Sequence, residues 1–402
     1  MNETDPHMDT TKPLSGIRIL DLGAFVAGPY AATILASLGA EVVKVEPPRG
    51  GDPFRRGIGT KDPFFTQMNA GKKSISIDLK SPDGVALLKA LLPEFDVLIE
   101  NGRPGVMERL GLDYDTVRAI HPSIVYSSSS GFGDGGPWRD RAAFDTIGLA
   151  MSGFLSIMSD QDTPRLAGTC IGDLATALVA VIGIVSALFG RERTAAGTHV
   201  KTSLLEAMTT ITIDAMTQSF ETGQSPHRES RHPAAQSFAL KCSDGGAIAV
   251  HMSGSEKFWQ NFTAAMARPD LQSDPRFATY ADRKEHYFDL RPIVEAEFAK
   301  HDRATWEQRL RDADVPHAPI VTGQELPDFP QMQWLDMYEA PREDGLRLVR
   351  MPWRFDEVRG RKPDGAPELG QNTREIAARV LSDEQIDRLI ADGVLVQAAE
   401  AK

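Results

Sequence analysis

The stretch from Ile17 to Glu46, IRILDLGAFVAGPYAATILASLGAEVVKVE, decides the fold. IRILDL is a short apolar run, and EVVKVE from Glu41 to Glu46 is a second one. PYAATILASLG between them has helical spacing, a proline at its start where a missing N–H costs nothing, and Gly39 as its stop. Strand, helix and strand within some thirty residues predict a βαβ unit, and therefore a sheet that is at least partly parallel.

The pattern continues outward. SISIDL from Ser74 to Leu79 predicts a strand, Pro82 to Leu92 a helix, DVLIEN from Asp96 to Asn101 a strand, Asp113 to Ala119 a helix, and SIVYSSSS from Ser123 to Ser130 a strand. Such a series predicts an α/β domain with a Rossmann-like parallel sheet and helices on both faces. Ligands of open parallel sheets gather beyond the C-terminal strand ends, here the loops starting near Gly23, Pro47, Asn101 and Ser130. A helix-like stretch from Ile147 to Phe154, an apolar helix from Asp173 to Phe189 and a strand and helix from His199 to Phe220 follow. Glu221 to Ser237 is polar and irregular, as a hinge or gating loop would be. FALKCSDGGAIAVHM then predicts a hairpin about Ser-Asp-Gly-Gly, with helices over Glu256–Ala267 and Arg283–Asp314. The expected organisation is a large domain over 1–225, a small α+β domain over 226–330, and a segment over 331–402 whose helices TREIAARVL and SDEQIDRLI return to the large domain.

A chain of 402 residues with 25% charged content can bury substantial cores without staples. Its two cysteines exclude a disulfide scaffold, and its net charge of −12 disfavours a general nucleic-acid binder. The start, MNETDPHMDTTKPLSG, lacks the pattern of a secretory signal. The apolar run from Leu174 to Phe189 falls short of the roughly 20 residues needed to span a bilayer. Both point to a cytoplasmic protein with no membrane partner. The first loop, DLGAFVAGPYA, lacks GxGxxG, and GxxxxGK[ST], HExxH, GxSxG and a spaced metal-ligand set are likewise missing, so no metal is expected.

Asp173 and Cys170 stand at the mouth of the long apolar helix. Cys170 is either a small packed residue or a thiolate favoured by the helix dipole. Asp173 is either a cap for the free N–H groups of the first turn or an ionised carboxylate able to attack an acyl group.

Four blocks carry a resemblance to a known family: ILDLGAFVAGPYAATILASLGAEVVKVEPPRGGD from Ile19, NAGKKSISIDLKSPDG from Asn69, the run from Ile99 to Asp145 that opens IENGRPGVMERLGL, and GDLATALVAVIGIVSALFGRERTAAGTHVKTSLLEAM from Gly172. With the hairpin they span nearly the whole chain. The sequence resembles the class III, or CaiB/BaiF-type, CoA-transferases, which include formyl-CoA and carnitine CoA-transferases. The resemblance implies transfer of coenzyme A from an acyl-CoA donor to a carboxylic acid acceptor, with coenzyme A as substrate, no permanently bound cofactor, and an interlocked homodimer.

Residue by residue, the resemblance implies Asp173 as nucleophile, passing through aspartyl anhydride and aspartyl-CoA thioester stages. Val26 and Ala27 fall in the loop whose backbone N–H groups face the thioester. Asn101, Arg103 and Arg109 fall in the stretch that borders coenzyme A, with Lys72 and Arg141 as further basic contacts. The arginines could instead pair with Glu108 or Asp113, and Lys72 and Arg141 could be surface charges. Val26 stands where the formyl-CoA and oxalate transferases have glutamine, and Leu149 where many relatives do, which disfavours a small polar acceptor such as oxalate. The alternatives are a 2-methylacyl-CoA racemase, whose histidine is replaced here by Phe144 before Asp145, and noncatalytic acyl-CoA binding.

Overall fold

The structure, a computed structural model, describes residues 9–160, 162–166, 168–342, 345–359 and 365–399. Six parallel strands are β1 (Arg18–Asp21), β2 (Glu41–Glu46), β3 (Lys73–Ile77), β4 (Val97–Glu100), β5 (Val125–Ser130) and β6 (His199–Ser203). They lie in the order β3-β2-β1-β4-β5-β6, and a C-terminal strand, Leu395–Val396, pairs antiparallel with β3. The predicted parallel sheet is thus present, with one antiparallel edge supplied by the end of the chain.

The strand residues sort by period two. Ile19, Val42, Val97, Ile99 and Val125 face the first helix, Ala27–Ser37, and the long helix, Ile171–Thr194. Their neighbours Leu20, Val43, Leu98 and Tyr126 face the opposite layer, which includes Leu87, Leu91 and the C-terminal residues Ile376, Ile386 and Leu389. Gly183 lets the long helix lie on the sheet, since a Cβ there would sit 2.5 Å from Val200 Cγ1.

The long helix has 24 residues, more than its apolar run suggested, and by length and composition it could cross a membrane. One face, with Ala177, Ala180, Ile184 and Leu188, is packed on the sheet layer. Leu178, Ile182, Val185 and Phe189 form an exposed apolar stripe on another.

Two compact units are present. One comprises Met1–Leu155, Leu166–Asp214 and Asp336–Lys402; the other comprises Ser156–Arg165 and Ala215–Leu335. The second unit takes in Ser156–Arg165, and its longer part begins at Ala215, inside the helix Ile213–Thr222, where composition gives no break. Its antiparallel sheet joins Ser237–Lys241, Ala247–His251 and His317–Pro319. Phe238, Trp259, Phe262 and a Phe298–Trp306 stack at 4.1 Å fill its core.

Candidate active site

The loop after β1 is held by side chains rather than by its own backbone ladder. Asp21 Oδ1 accepts from Gly23 N–H at 2.9 Å, Lys44 Nζ donates to the Gly23 carbonyl at 2.8 Å, and Asp52 Oδ1 accepts from Phe25 N–H at 3.3 Å. Asn101, just past β4, donates to the Ala24 carbonyl and accepts from Ala24 N–H, both at 2.8 Å. Phe25 takes a left-handed φ of 64° inside this frame. Gly28 completes the closure, because a Cβ there would come within 3.1 Å of Gly23 Cα. The loop therefore delivers Val26 and Ala27, with the unpaired N–H groups of a first helical turn, in a fixed position.

Beneath the loop lies a fully buried charge cluster. Lys72 Nζ contacts Asp21 Oδ2 at 2.7 Å, the Pro29 carbonyl at 2.8 Å and Asn69 Oδ1 at 2.9 Å, and Lys44 Nζ contacts Asp52 Oδ2 at 2.8 Å. Burial opposes the charge on Asp21, yet the Lys72 and Lys44 ammoniums outweigh it and keep that carboxyl below its usual range. Burial and the neighbouring Lys44 charge push Lys72 down to about 8, against the pull of Asp21.

Asp173 enters from the opposite side, on the first turn of the long helix. It does not cap that helix. Asp145, at the start of the helix Asp145–Met151, does so from outside: its Oδ1 accepts from Gly172 N–H at 2.8 Å and from Asp173 N–H at 3.2 Å. The Asp173 carboxyl is thereby left to the cavity. Burial, reinforced by the charge of Asp145, pushes it up to about 7. The expectation that the helix start keeps it ionised is corrected accordingly, since half-burial beside a second carboxylate exceeds the favourable effect of a helix terminus.

Two cavities meet at Asp173. One, of about 300 Å³, is lined by Phe25, Val26, Ala27, Asn101, Arg103, Ser130, Phe144 and Thr176 together with Asp173. The other, of about 510 Å³, is lined by Val26, Phe54, Arg56, Phe64, Asp145, Leu149, Leu155, Leu166, Cys170 and Asp173. Val26 is common to both, and Leu149 faces the second, so the two positions that depart from the glutamine pattern lie beside the same carboxylate.

The structure thus brings together Asp173, Val26, Ala27, Asn101 and Arg103. Arg109 and Arg141 are exposed on the large unit and do not line either cavity; Arg141 lies over the Trp138 ring at 3.8 Å. Lys72 is neither a surface charge nor a cavity residue, because its ammonium is enclosed and occupied by three acceptors. Cys170 is the residue before the long helix, but burial, with the Asp173 and Asp145 charges behind it, pushes its thiol up, away from the thiolate that the helix dipole suggested. The sequence reading missed Asp145 as the cap and Arg56 as a cavity cation. The adjacent Phe-Asp pair at 144–145 opening a helix was the only local signal for the first, and the aromatic-rich PFRRGIGTKDPFF stretch for the second.

Residues 14–373 match the model of CoA-transferase family III. The chain is 33% identical to the succinyl-CoA–D-citramalate CoA-transferase of Chloroflexus aurantiacus, over 92% of this chain and 94% of the relative. It is 34% identical to the acetyl-CoA:oxalate CoA-transferase of Acetobacter aceti, over 92% and 96%. The identity to the succinate–glutarate CoA-transferase of Agrobacterium fabrum is 31%, again over 92% and 96%. Among solved structures, a CaiB/BaiF family protein from Brucella suis superposes with a TM-score of 0.81 at 30% identity, covering 92% of this chain and all (100%) of that one. With the geometry around Asp173, these matches identify the chain as a transferase that belongs to CoA-transferase family III.

Proposed function

We propose that this transferase moves coenzyme A from an acyl-CoA to a free carboxylate by way of covalent intermediates on Asp173. The observation that carries the reading is the placement of one carboxylate, without a hydrogen-bond partner among the described residues and raised toward neutrality, where two cavities meet.

An Asp173 carboxylate oxygen adds to the thioester carbonyl of the donor, the C–S bond breaks, and a mixed anhydride and a CoA thiolate result. The thiolate adds to the aspartyl carbonyl, the anhydride C–O bond breaks, and the donor acid leaves, giving an aspartyl-CoA thioester. The acceptor carboxylate then adds to that carbonyl and expels the thiolate, forming a second anhydride. Attack of the thiolate on the acceptor carbonyl releases the new acyl-CoA and restores the Asp173 carboxylate. Charge and the activated bond are conserved throughout.

Asp145 assists by repulsion. A carboxylate of raised pKa is the better nucleophile, and acylation of Asp173 removes the negative charge that Asp145 opposes. Negative charge developing on the reacting carbonyl is received by the first-turn N–H groups at Val26 and Ala27, in the loop fixed by Asn101, Asp21, Lys44 and Asp52. Arg103, with Arg109 and Arg141 on the surface beyond, supplies positive charge for the phosphates of coenzyme A, and Lys72 acts from below by holding Asp21 and the Pro29 carbonyl.

The working form is a homodimer, supported by the stripe Leu178, Ile182, Val185 and Phe189, an exposed apolar row of the kind that a second copy of the chain covers. Cys170 and Cys242 are both unpaired, which accords with a reducing, cytoplasmic setting. The test is exchange of CoA between an acyl-CoA and a free acid, followed by mass spectrometry, with hydroxylamine trapping during turnover. Modification confined to residue 173 and lost in Asp173→Asn is expected; full exchange by Asp173→Ala overturns the mechanism.

A further inference from the structure

The second cavity combines an apolar wall with a cation. Val26, Leu149, Leu155, Leu166, Phe54 and Phe64 make it apolar, and Arg56 is the one cation among its described lining residues. The guanidinium lies over the Phe54 ring at 5.0 Å and the Phe64 ring at 5.2 Å. Its backbone is also fixed, as a left-handed residue (φ 44°) closing the short 3-10 turn Pro53–Arg55.

Among the described residues Arg56 has one carboxylate within ion-pair distance, Asp62, whose Oδ2 is 3.6 Å from Nε, too far for a hydrogen bond. Asp62 Oδ1 accepts instead from the Phe64 and Phe65 N–H groups, so that residue is engaged as a helix cap. Among the described residues the two terminal nitrogens of Arg56, the fork that matches a carboxylate, have no hydrogen-bond partner. The aromatic rings form a continuous path toward them, from Phe144 to Phe25 at 5.5 Å, Phe25 to Phe54 at 5.4 Å, and Phe54 to Phe64 at 6.2 Å.

We propose that Arg56 is a specificity-determining residue that binds the far carboxylate of an α,ω-dicarboxylic acyl group whose methylene body lies on the Phe54, Phe64, Val26 and Leu149 surface while its reacting carbonyl is at Asp173. The proposal rests on the transferase reading above and adds the substrate class. An acid with no methylenes, such as oxalate, leaves the apolar wall uncovered and cannot extend from Asp173 along it. A monocarboxylic acyl group covers the wall but leaves the guanidinium to water.

The probes are glutaryl-CoA and valeryl-CoA, which have five-carbon chains and differ at the terminal group. Affinity is measured by equilibrium titration of the Asp173→Asn protein, and formation of the CoA-bound enzyme by mass spectrometry of protein with Asp173 intact. Arg56→Ala is expected to weaken glutaryl-CoA at least tenfold in both measurements and valeryl-CoA less than threefold, with Arg56→Lys intermediate for glutaryl-CoA. Equal losses for the two thioesters, or no loss for either, overturn the proposal. If protein with Asp173 intact forms no covalent species with either thioester, the covalent transferase mechanism fails, while the titrations still decide the role of Arg56.

Discussion

The side-chain amide of Asn101 and the backbone of Ala24 exchange two hydrogen bonds, donor to carbonyl and N–H to acceptor, each 2.8 Å long. A residue just past β4 therefore acts as the missing ladder partner of the loop after β1. Its replacement by alanine leaves both Ala24 groups without protein partners. We expect Asn101→Ala to cost about 1–3 kcal/mol of stability and to lower kcat for CoA transfer at least tenfold, with a smaller change in KM for the acyl-CoA. Circular dichroism melts and steady-state kinetics check both, and an unchanged kcat would show that the loop keeps its position without the clamp.

Asp173 sets a stability profile. Its carboxyl titrates at about 7 in the folded protein against 3.8 ordinarily, so the folded state holds that proton more tightly than the unfolded state. Stability from this group is therefore present at low pH and is lost as pH rises from about 4 to about 7. Asp173→Asn should match wild type near pH 4, become progressively more stable than wild type up to pH 7 and stay so above it. One pKa unit corresponds to about 1.4 kcal/mol, so the gain is on the order of a few kcal/mol at most. Urea unfolding at a series of pH values measures it, and a difference that shrinks with rising pH contradicts the assignment.

Lys72 is expected to matter to folding before it matters to binding. Lys72→Met leaves Asp21 buried with one ammonium fewer and should destabilise by about 3–5 kcal/mol. Adding Asp21→Asn should recover part of that loss, as the uncompensated charge is removed. Acyl-CoA affinity of the folded fraction should change less than threefold; a tenfold loss at unchanged stability would place Lys72 at the ligand after all.

The exposed arginines are expected to behave in the opposite way. Arg109→Ala and Arg103→Ala should each weaken acyl-CoA binding about tenfold, the effect of one charged hydrogen bond, and leave the melting temperature unchanged. The loss should diminish as salt is raised, because exposed charges are screened. Calorimetric titration at two ionic strengths tests the assignment, and unchanged affinity in both variants removes them from the coenzyme site.

The stripe on the long helix gives a separate test. Ile182→Glu places a charge in the middle of the row Leu178, Ile182, Val185 and Phe189. Sedimentation velocity at micromolar concentration should show wild type as a dimer and the variant shifted toward monomer. A wild-type monomer would refute the homodimer.

The sheet was legible because its signals are local: Ile19/Leu20 and Val42/Val43 alternate faces, and Pro29 and Gly39 punctuate the helix between them. Even so, the helix begins at Ala27, two residues ahead of the proline. Asp173 was legible as the acidic residue at the mouth of an apolar helix. Its protonation was not, because burial in the folded cavity raises it, and Asp145, the charge that adds to that effect, belongs to another helix and reaches the long helix across 28 residues of sequence. The enclosure of Lys72 was not legible for the same reason, since its partners Asp21 and Pro29 are dozens of residues earlier and only the folded sheet encloses the three together.

The antiparallel pairing of Leu395 with Ile77 also has a consequence for how the protein is made. Thr373 donates to the Val396 carbonyl at 2.6 Å and accepts from Ser76 N–H at 3.1 Å, so the last strand and the segment before it fasten together on β3. On the ribosome, β3 emerges long before its edge partner has been translated. Until then the nascent sheet carries an open edge beside Ile75 and Ile77, and the layer that Ile376, Ile386 and Leu389 complete is unfilled. The large unit reaches its final form only after Leu395 and Val396 have been translated, and a nonsense codon between the small unit and Ile376 yields a chain that holds Asp173 yet presents an aggregation-prone rim.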